Sequence, residues 1–191
     1  MQLNTPYNSN LDVTRGHLLI SEPFLPDKNF ERSVVLLCEH QPTKGSFGLV
    51  LNKPTEMTVS DVIDSSSFEQ TLYIGGPVEQ NTLHFVHTLA EIPNAVPLRD
   101  GVFWGGDFDY IKALAIANRL SAANSRFFVG YSGWGEGQLT DELKENSWIL
   151  STTNLQLIFQ VPADELWKQI LKNMGGRFKV VANYPTNPRF N

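Results

Sequence analysis

Two apolar runs, SVVLLCE (33–39) and FGLVLNK (47–53), are separated by only seven residues, and they constrain this chain more than any other feature. Short aliphatic runs of this length read as buried strands. The linker HQPTKGS carries Pro42 and Gly45, which suit a turn. The pattern predicts an antiparallel hairpin. Further strands are expected at GHLLIS (16–21), TLYIGG (71–76), TLHFVHT (82–88), VFWGG and RFFVGY, with the second and third placed around a GGPVEQN turn. TVSDVI (58–63) reads as a short helix. The strongest helix is expected over 107–122, with Asp107 as its cap and Phe108, Ile111, Leu114 and Ala115 on one face. QLTDELKEN reads as a short helix, and ADELWKQILKNMGG as a final amphipathic one closed by glycines. AEIPNAVPLRDG reads as a loop, and SWILST and LQLIFQ as strand or turn segments. Strands early and helices interleaved later give an α/β (α+β) fold. It is a single domain with a mixed β-sheet and helices packed against it.

A chain of 191 residues, 41% hydrophobic and 18% charged, suits one compact core. The expected organisation is a flexible N-terminus (1–15), a folded domain (16–176) and a C-terminal tail (177–191), extended or docked. Cys38 is the one cysteine, which excludes an internal disulfide framework and a multi-cysteine zinc site. The longest aliphatic run is VVLLC, too short for a membrane span, and the polar N-terminus does not read as a signal peptide. A cytoplasmic protein is expected. Between Pro54 and Asp109 there are nine acids and one base, a balance of −8 against −5 for the whole chain. That block would repel a duplex and argues against direct DNA binding.

The stretch FFVGYSGWGEGQLTDEL (127–143) raises the question of chemistry. Gly130-Tyr131-Ser132 opens like a nucleophile elbow, but Trp134 stands where the second glycine is needed. His17, His40, His84 and His87 all precede Ser132, contrary to that fold's order. A phosphate cradle would need a lysine, and Glu136 would repel the anion. What remains is a strand-to-helix corner presenting Tyr131 and Trp134, either as a recognition surface or as plain corner-building. On a strand, His84 and His87 fall on opposite faces and cannot share a metal. Cys38 and His40, two apart on a strand, are expected to share a face with Val34 and Leu36. Core packing is the favoured reading of Cys38 and a reactive thiol the alternative. No catalytic residue, metal or cofactor is assigned. The binding candidates are Arg32, Glu39, His40, Asn52, Lys53, Tyr131, Ser132, Trp134 and Gln138.

The motifs GHLLISEPFLPD, NFERSVVLLCEH, GSFGLVLNKP, YIGGPVEQ and GYSGWGEGQLTDELKENSWI occur in this order. The ordered set resembles the YqgE/AlgH family of bacterial proteins from about Gly16 to Gly175. PFLPDKNF and YPTNPRFN look like a Bacteroidetes-type branch. The resemblance implies a single cytosolic α/β domain with a mixed sheet. It also implies an uncharacterised protein labelled a transcriptional regulator, with no catalytic residues to carry over. The expected function is a non-enzymatic regulatory module that binds a small ligand or partner protein. The alternative is an enzyme acting on a nucleotide or phosphorylated metabolite, with Glu39, His40 and Lys53 as acid–base or charge-stabilising groups.

Overall fold

A computed structural model describes residues 12–63 and 67–185. In it the two apolar runs form β2 (Val34–Gln41) and β3 (Gly45–Val50), an antiparallel hairpin as expected. The turn contracts to three residues, with Lys44 N–H donating to the Gln41 carbonyl at 3.0 Å. The other strands are β1 (Leu18–Ser21), β4 (Pro54–Thr58), β5 (Thr71–Ile74), β6 (Val78–His87), β7 (Val96–Pro97), β8 (Phe103–Trp104), β9 (Ser125–Trp134) and β10 (Trp148–Ser151). Among the described residues they form one ten-stranded sheet, ordered β10-β1-β2-β3-β9-β6-β8-β7. Two further pairings join β4 to β5 and β5 to β9. The β5–β9 pair is parallel and the others are antiparallel, so the sheet is mixed.

The helices are α1 (Phe108–Ile116), α2 (Gln138–Lys144), α3 (Leu157–Gln160), α4 (Ala163–Met174) and α5 (Phe178–Val181). They cover both faces of the sheet. Val34, Leu36 and Cys38 of β2 enter a core with Leu166, Trp167, Ile170 and Leu171 of α4. Val35 and Leu37 enter the opposite core, with Leu139 and Leu143 of α2. Ile111, Leu114 and Ala115 of α1 pack with Leu72, Phe85 and Phe127 in a third cluster. Asp107 caps α1 by accepting from Tyr110 N–H at 2.9 Å. The helix stops six residues before the expected end because Asn118 takes a left-handed backbone (φ 54°), and Asn118 and Arg119 N–H close onto Ala115 and Leu114 carbonyls. TVSDVI forms a 3-10 turn (Val59–Asp61), and LQLIFQ contains the short helix α3 rather than a strand or turn segment. In the C-terminal segment, Val181 and Ala182 are buried. Residues 1–11 and 186–191, within the expected N-terminus and tail, lie outside the described residues.

The expected turn between β5 and β6 is instead a crossing. These two strands do not pair with each other. β9 lies between them, parallel to β5 on one edge and antiparallel to β6 on the other. The connecting backbone passes so close to β9 that a Cβ on Gly76 would sit 2.2 Å from the Tyr131 carbonyl, and one on Gly75 2.3 Å from Gly130 O. Only glycine leaves room for such an approach. Gly130 takes φ 67°, and the strand continues through it to Trp134. The strand expected to end at Tyr131 therefore runs to Trp134, and the corner lies at 135–137. Gly76→Ala should lower unfolding free energy by about 3 kcal/mol or more, because backbone itself must move. Gly137→Ala, at φ 73° with nothing within 4 Å, should lose only about 1 kcal/mol. Urea denaturation of both variants checks this, and equal losses would contradict the crossing.

Candidate functional site

The nine sequence candidates fall into two groups at opposite ends of β3. Arg32, Asn52 and Lys53 occupy one end. The Asn52 side chain accepts from Val34 N–H (2.9 Å) and donates to the Arg32 carbonyl (2.9 Å), extending the hairpin beyond its last backbone pair. Arg32 has φ 47°, stacks its guanidinium 4.9 Å over Trp167 and donates to the Tyr184 carbonyl. Lys53 donates to the Lys28 and Asn29 carbonyls, holding the loop before β2. Burial lowers its pKa, with Glu31 and Asp27 acting against that. Nearby, Arg126 is buried, donates to the Leu51 carbonyl at 2.9 Å and lies 4.6 Å over the Tyr73 ring. Each of these polar side chains has a visible fastening role.

Glu39, His40, Tyr131, Ser132, Trp134 and Gln138 gather at the other end, where β2, β3 and β9 pair. Seven residues of extended chain, roughly 23 Å, separate Ser46, which bonds His40, from Lys53. His40, Glu39 and Lys53 thus do not form one acid–base constellation. Cys38 and His40 also part company. A bulge between Leu37 and Glu39 puts one extra residue into β2 and reverses the alternation. Cys38 stays in the α4-facing core, fully buried, with its thiol pKa pushed up by burial and then by Glu39. His40 pairs with Ser46, which is opposite Trp134 of the α2-facing core, and its Nδ1 lies 2.8 Å from Ser46 Oγ.

Ser132 is fully buried and donates to the Gly75 carbonyl at 3.1 Å, pinning the crossing strand. Of the two readings of Trp134, recognition surface or plain corner-building, burial favours the second, since the ring is 6% exposed and belongs to the core. Its indole N–H donates to Glu142 at 2.8 Å, and Trp148 donates to the same oxygen at 2.7 Å. Gln138 accepts from Gly135 N–H and donates to the other Glu142 oxygen. A cavity of about 240 Å³ opens beside this group, and another of about 260 Å³ runs from Glu39 to Trp134.

On the opposite face, Tyr131 joins an aromatic cluster. Phe47 lies 4.9 Å from Tyr131, 5.0 Å from Trp104 and 5.2 Å from His84 by ring centroids. Next to it is a cavity of about 440 Å³ lined by His84, Trp104, Phe85, Phe108, Leu83, Ile63 and the Gly105-Gly106 turn. His84 Nε2 lies 3.0 Å from Thr82 Oγ1, and burial lowers its pKa against the pull of Glu79. His87 points away, buried, bonded through Nε2 to the Gly105 carbonyl at 2.9 Å. The two histidines are separated as the odd spacing implies. Among the described residues no group of three or more His, Cys, Asp or Glu is placed to hold a metal, and no helix is long and apolar enough to cross a membrane. Glu142, Trp148, Trp104 and Phe47 escaped sequence reasoning. The i, i+4 spacing of Gln138 and Glu142 was the one available signal.

Fold and site define a single-domain α+β protein built on a mixed, largely antiparallel sheet. The chain belongs to the AlgH-like family, whose model matches residues 18–179. It is 46% identical to a UPF0301 protein of Cytophaga hutchinsonii, over 94% of this chain and all of that one. It is 41% identical to a UPF0301 protein of Bacteroides thetaiotaomicron, over 96% and 94%. The solution structure of AlgH from Pseudomonas aeruginosa superposes with a TM-score of 0.71 at 25% identity, covering 89% and 93%. The crystal structure of DIP2367 from Corynebacterium diphtheriae shares the fold, with a TM-score of 0.75 at 24% identity over 91% and 94%.

Burial lowers the pKa of all four histidines. The unfolded chain takes up these protons near pH 6.5, while the folded one resists until lower pH. Their contribution is intact above about pH 6.5 and is lost as pH falls through the lower folded values. Thermal melts should show a lower Tm at pH 5.5 than at pH 7.5, and His87→Gln should flatten the difference. A higher Tm at pH 5.5 would contradict the buried, neutral histidines.

Proposed function

We propose that this chain is a non-enzymatic, regulatory binding module that holds a small, largely apolar aromatic ligand in the cavity walled by His84, Phe85, Trp104 and Phe108. One observation carries the reading. About 440 Å³ of space, within the range of roughly 300–1,000 Å³ usual for small-molecule sites, is walled by four aromatic rings counting the His84 imidazole. That imidazole supplies a polar contact in an otherwise apolar lining. The groups that could have done covalent chemistry have structural work instead. Ser132 pins the crossing, Cys38 is sealed in the core and His40 is tied to Ser46. Regulation would then act through a ligand-dependent contact with another protein. The acidic central block and the placement of α1, which leads into β9 rather than a recognition helix, speak against a duplex as the partner.

The purified protein should retain a small aromatic molecule from bacterial extract, released at unchanged mass on denaturation and identified by mass spectrometry. Leu83→Trp, which fills the cavity from β6, should reduce retention at least tenfold and leave the far-ultraviolet spectrum unaltered. Retention unaffected by Leu83→Trp, or conversion of the bound molecule, would overturn the proposal.

A further inference from the structure

Two polar side chains stand in the lining of the cavity walled by His84, Phe85, Trp104 and Phe108, the His84 imidazole and the Trp104 indole. Both are partly exposed, as are Leu83 and Phe108, so these side chains border open space as well as the core. Both polar rings pack on Phe47, at centroid distances of 5.2 Å and 5.0 Å, which keeps them neighbours.

A short hydrogen-bond relay fixes which nitrogen of His84 carries the ring proton. Thr82 Oγ1 donates to the Glu79 carbonyl at 2.8 Å. A hydroxyl has one proton and a carbonyl can only accept, so the Thr82 proton is committed to Glu79. His84 Nε2 lies 3.0 Å from the same hydroxyl oxygen. Two lone pairs would face each other at that distance unless Nε2 holds a hydrogen, so Nε2 is the donor. Burial lowers the His84 pKa against the pull of Glu79, so the ring is neutral at pH 7 and carries this one proton. Nδ1 is left as an acceptor, with no hydrogen-bond partner among the described residues. The Trp104 indole N–H is its complement, a donor that likewise has no partner among the described residues. Neither nitrogen is among the sealed polar atoms that lack a partner, so both remain accessible.

A free acceptor beside a free donor discriminates among aromatic ligands. A hydrocarbon desolvates both nitrogens and pairs neither, which costs affinity. An aromatic carboxylate only accepts, and it would set its charge against the Nδ1 lone pair. A ring N–H answers His84 alone. A hydroxyl offers its proton to an acceptor and its lone pairs to a donor. We infer that the ligand of this cavity is an uncharged aromatic alcohol of the phenol type, whose hydroxyl donates to His84 Nδ1. The inference rests on the aromatic-ligand reading of the same cavity and adds the group which that ligand carries. A phenol keeps its proton at neutral pH, its ordinary pKa being about 10.

2-Naphthol is the probe. The controls are 2-methylnaphthalene, with a methyl in place of the hydroxyl, and 2-methoxynaphthalene, which accepts but cannot donate. Titrations of the whole protein should be followed through the amide signals of Gly105 and Gly106, which line the cavity. 2-Naphthol should bind about tenfold more tightly than either control, or better. Nitrogen-15 spectra of the His84 ring should show the Nε2–H tautomer in the free protein and a shift of Nδ1 when 2-naphthol binds. His84→Phe should abolish the preference for 2-naphthol over 2-methylnaphthalene. If that variant fails to fold, the ring spectra and the two controls still decide the matter. Equal affinity for 2-naphthol and 2-methylnaphthalene, with both glycines responding, would overturn this inference and leave the aromatic-ligand reading standing. No response at these glycines to any of the three compounds would overturn both. An Nδ1–H tautomer in the free protein, or a preference that survives His84→Phe, would overturn the inference alone.

Discussion

The passage of Gly75 and Gly76 over β9 is the contact on which the remaining architecture depends. It carries the chain from one edge of β9 to the other, so that β9 gains neighbours on both sides and becomes the central strand. The approach is at van der Waals limits for bare backbone. A hydroxyl from β9 itself, Ser132, closes it from below the crossing chain. Without this passage β5 and β6 would form an ordinary hairpin, and α1 would lack the paired surface of β5, β6 and β9 that it covers.

Much of this fold was legible because apolar runs and caps are local signals. The 33–39 and 47–53 runs, the Asp107 cap and the amphipathic α4 all follow from residues close in sequence. The missed features are those that local pattern does not encode. GGPVEQN looks the same whether it turns or crosses, because glycine permits both. The bulge at Cys38 leaves no mark on the alternation until the partner strand is known, and it is enough to send His40 to the other face. Trp134 reads as an anchor on a glycine corner because the expected strand, RFFVGY, ends at Tyr131. The strand runs three residues further and takes the ring into the core.

The candidate site was legible as a neighbourhood rather than as a mechanism. Six of the nine residues do gather at one end of the sheet, while Arg32, Asn52 and Lys53 turn out to fasten the other end. The glycine-rich stretch places Tyr131 on one face and Trp134 on the other. The larger cavity has aromatic walls that include the His84 imidazole, and the smaller one beside Trp134 includes two carboxylates.

Native-state hydrogen exchange tests the central role of β9 most directly. Phe127, Phe128 and Val129 are paired on both edges, and the two phenylalanine rings enter two different cores. Their slowest amides should exchange only by global unfolding, with protection equal to the stability measured by denaturant. Slower exchange in β1 and β10 than in this segment, with 127–129 opening below the global free energy, would contradict the account.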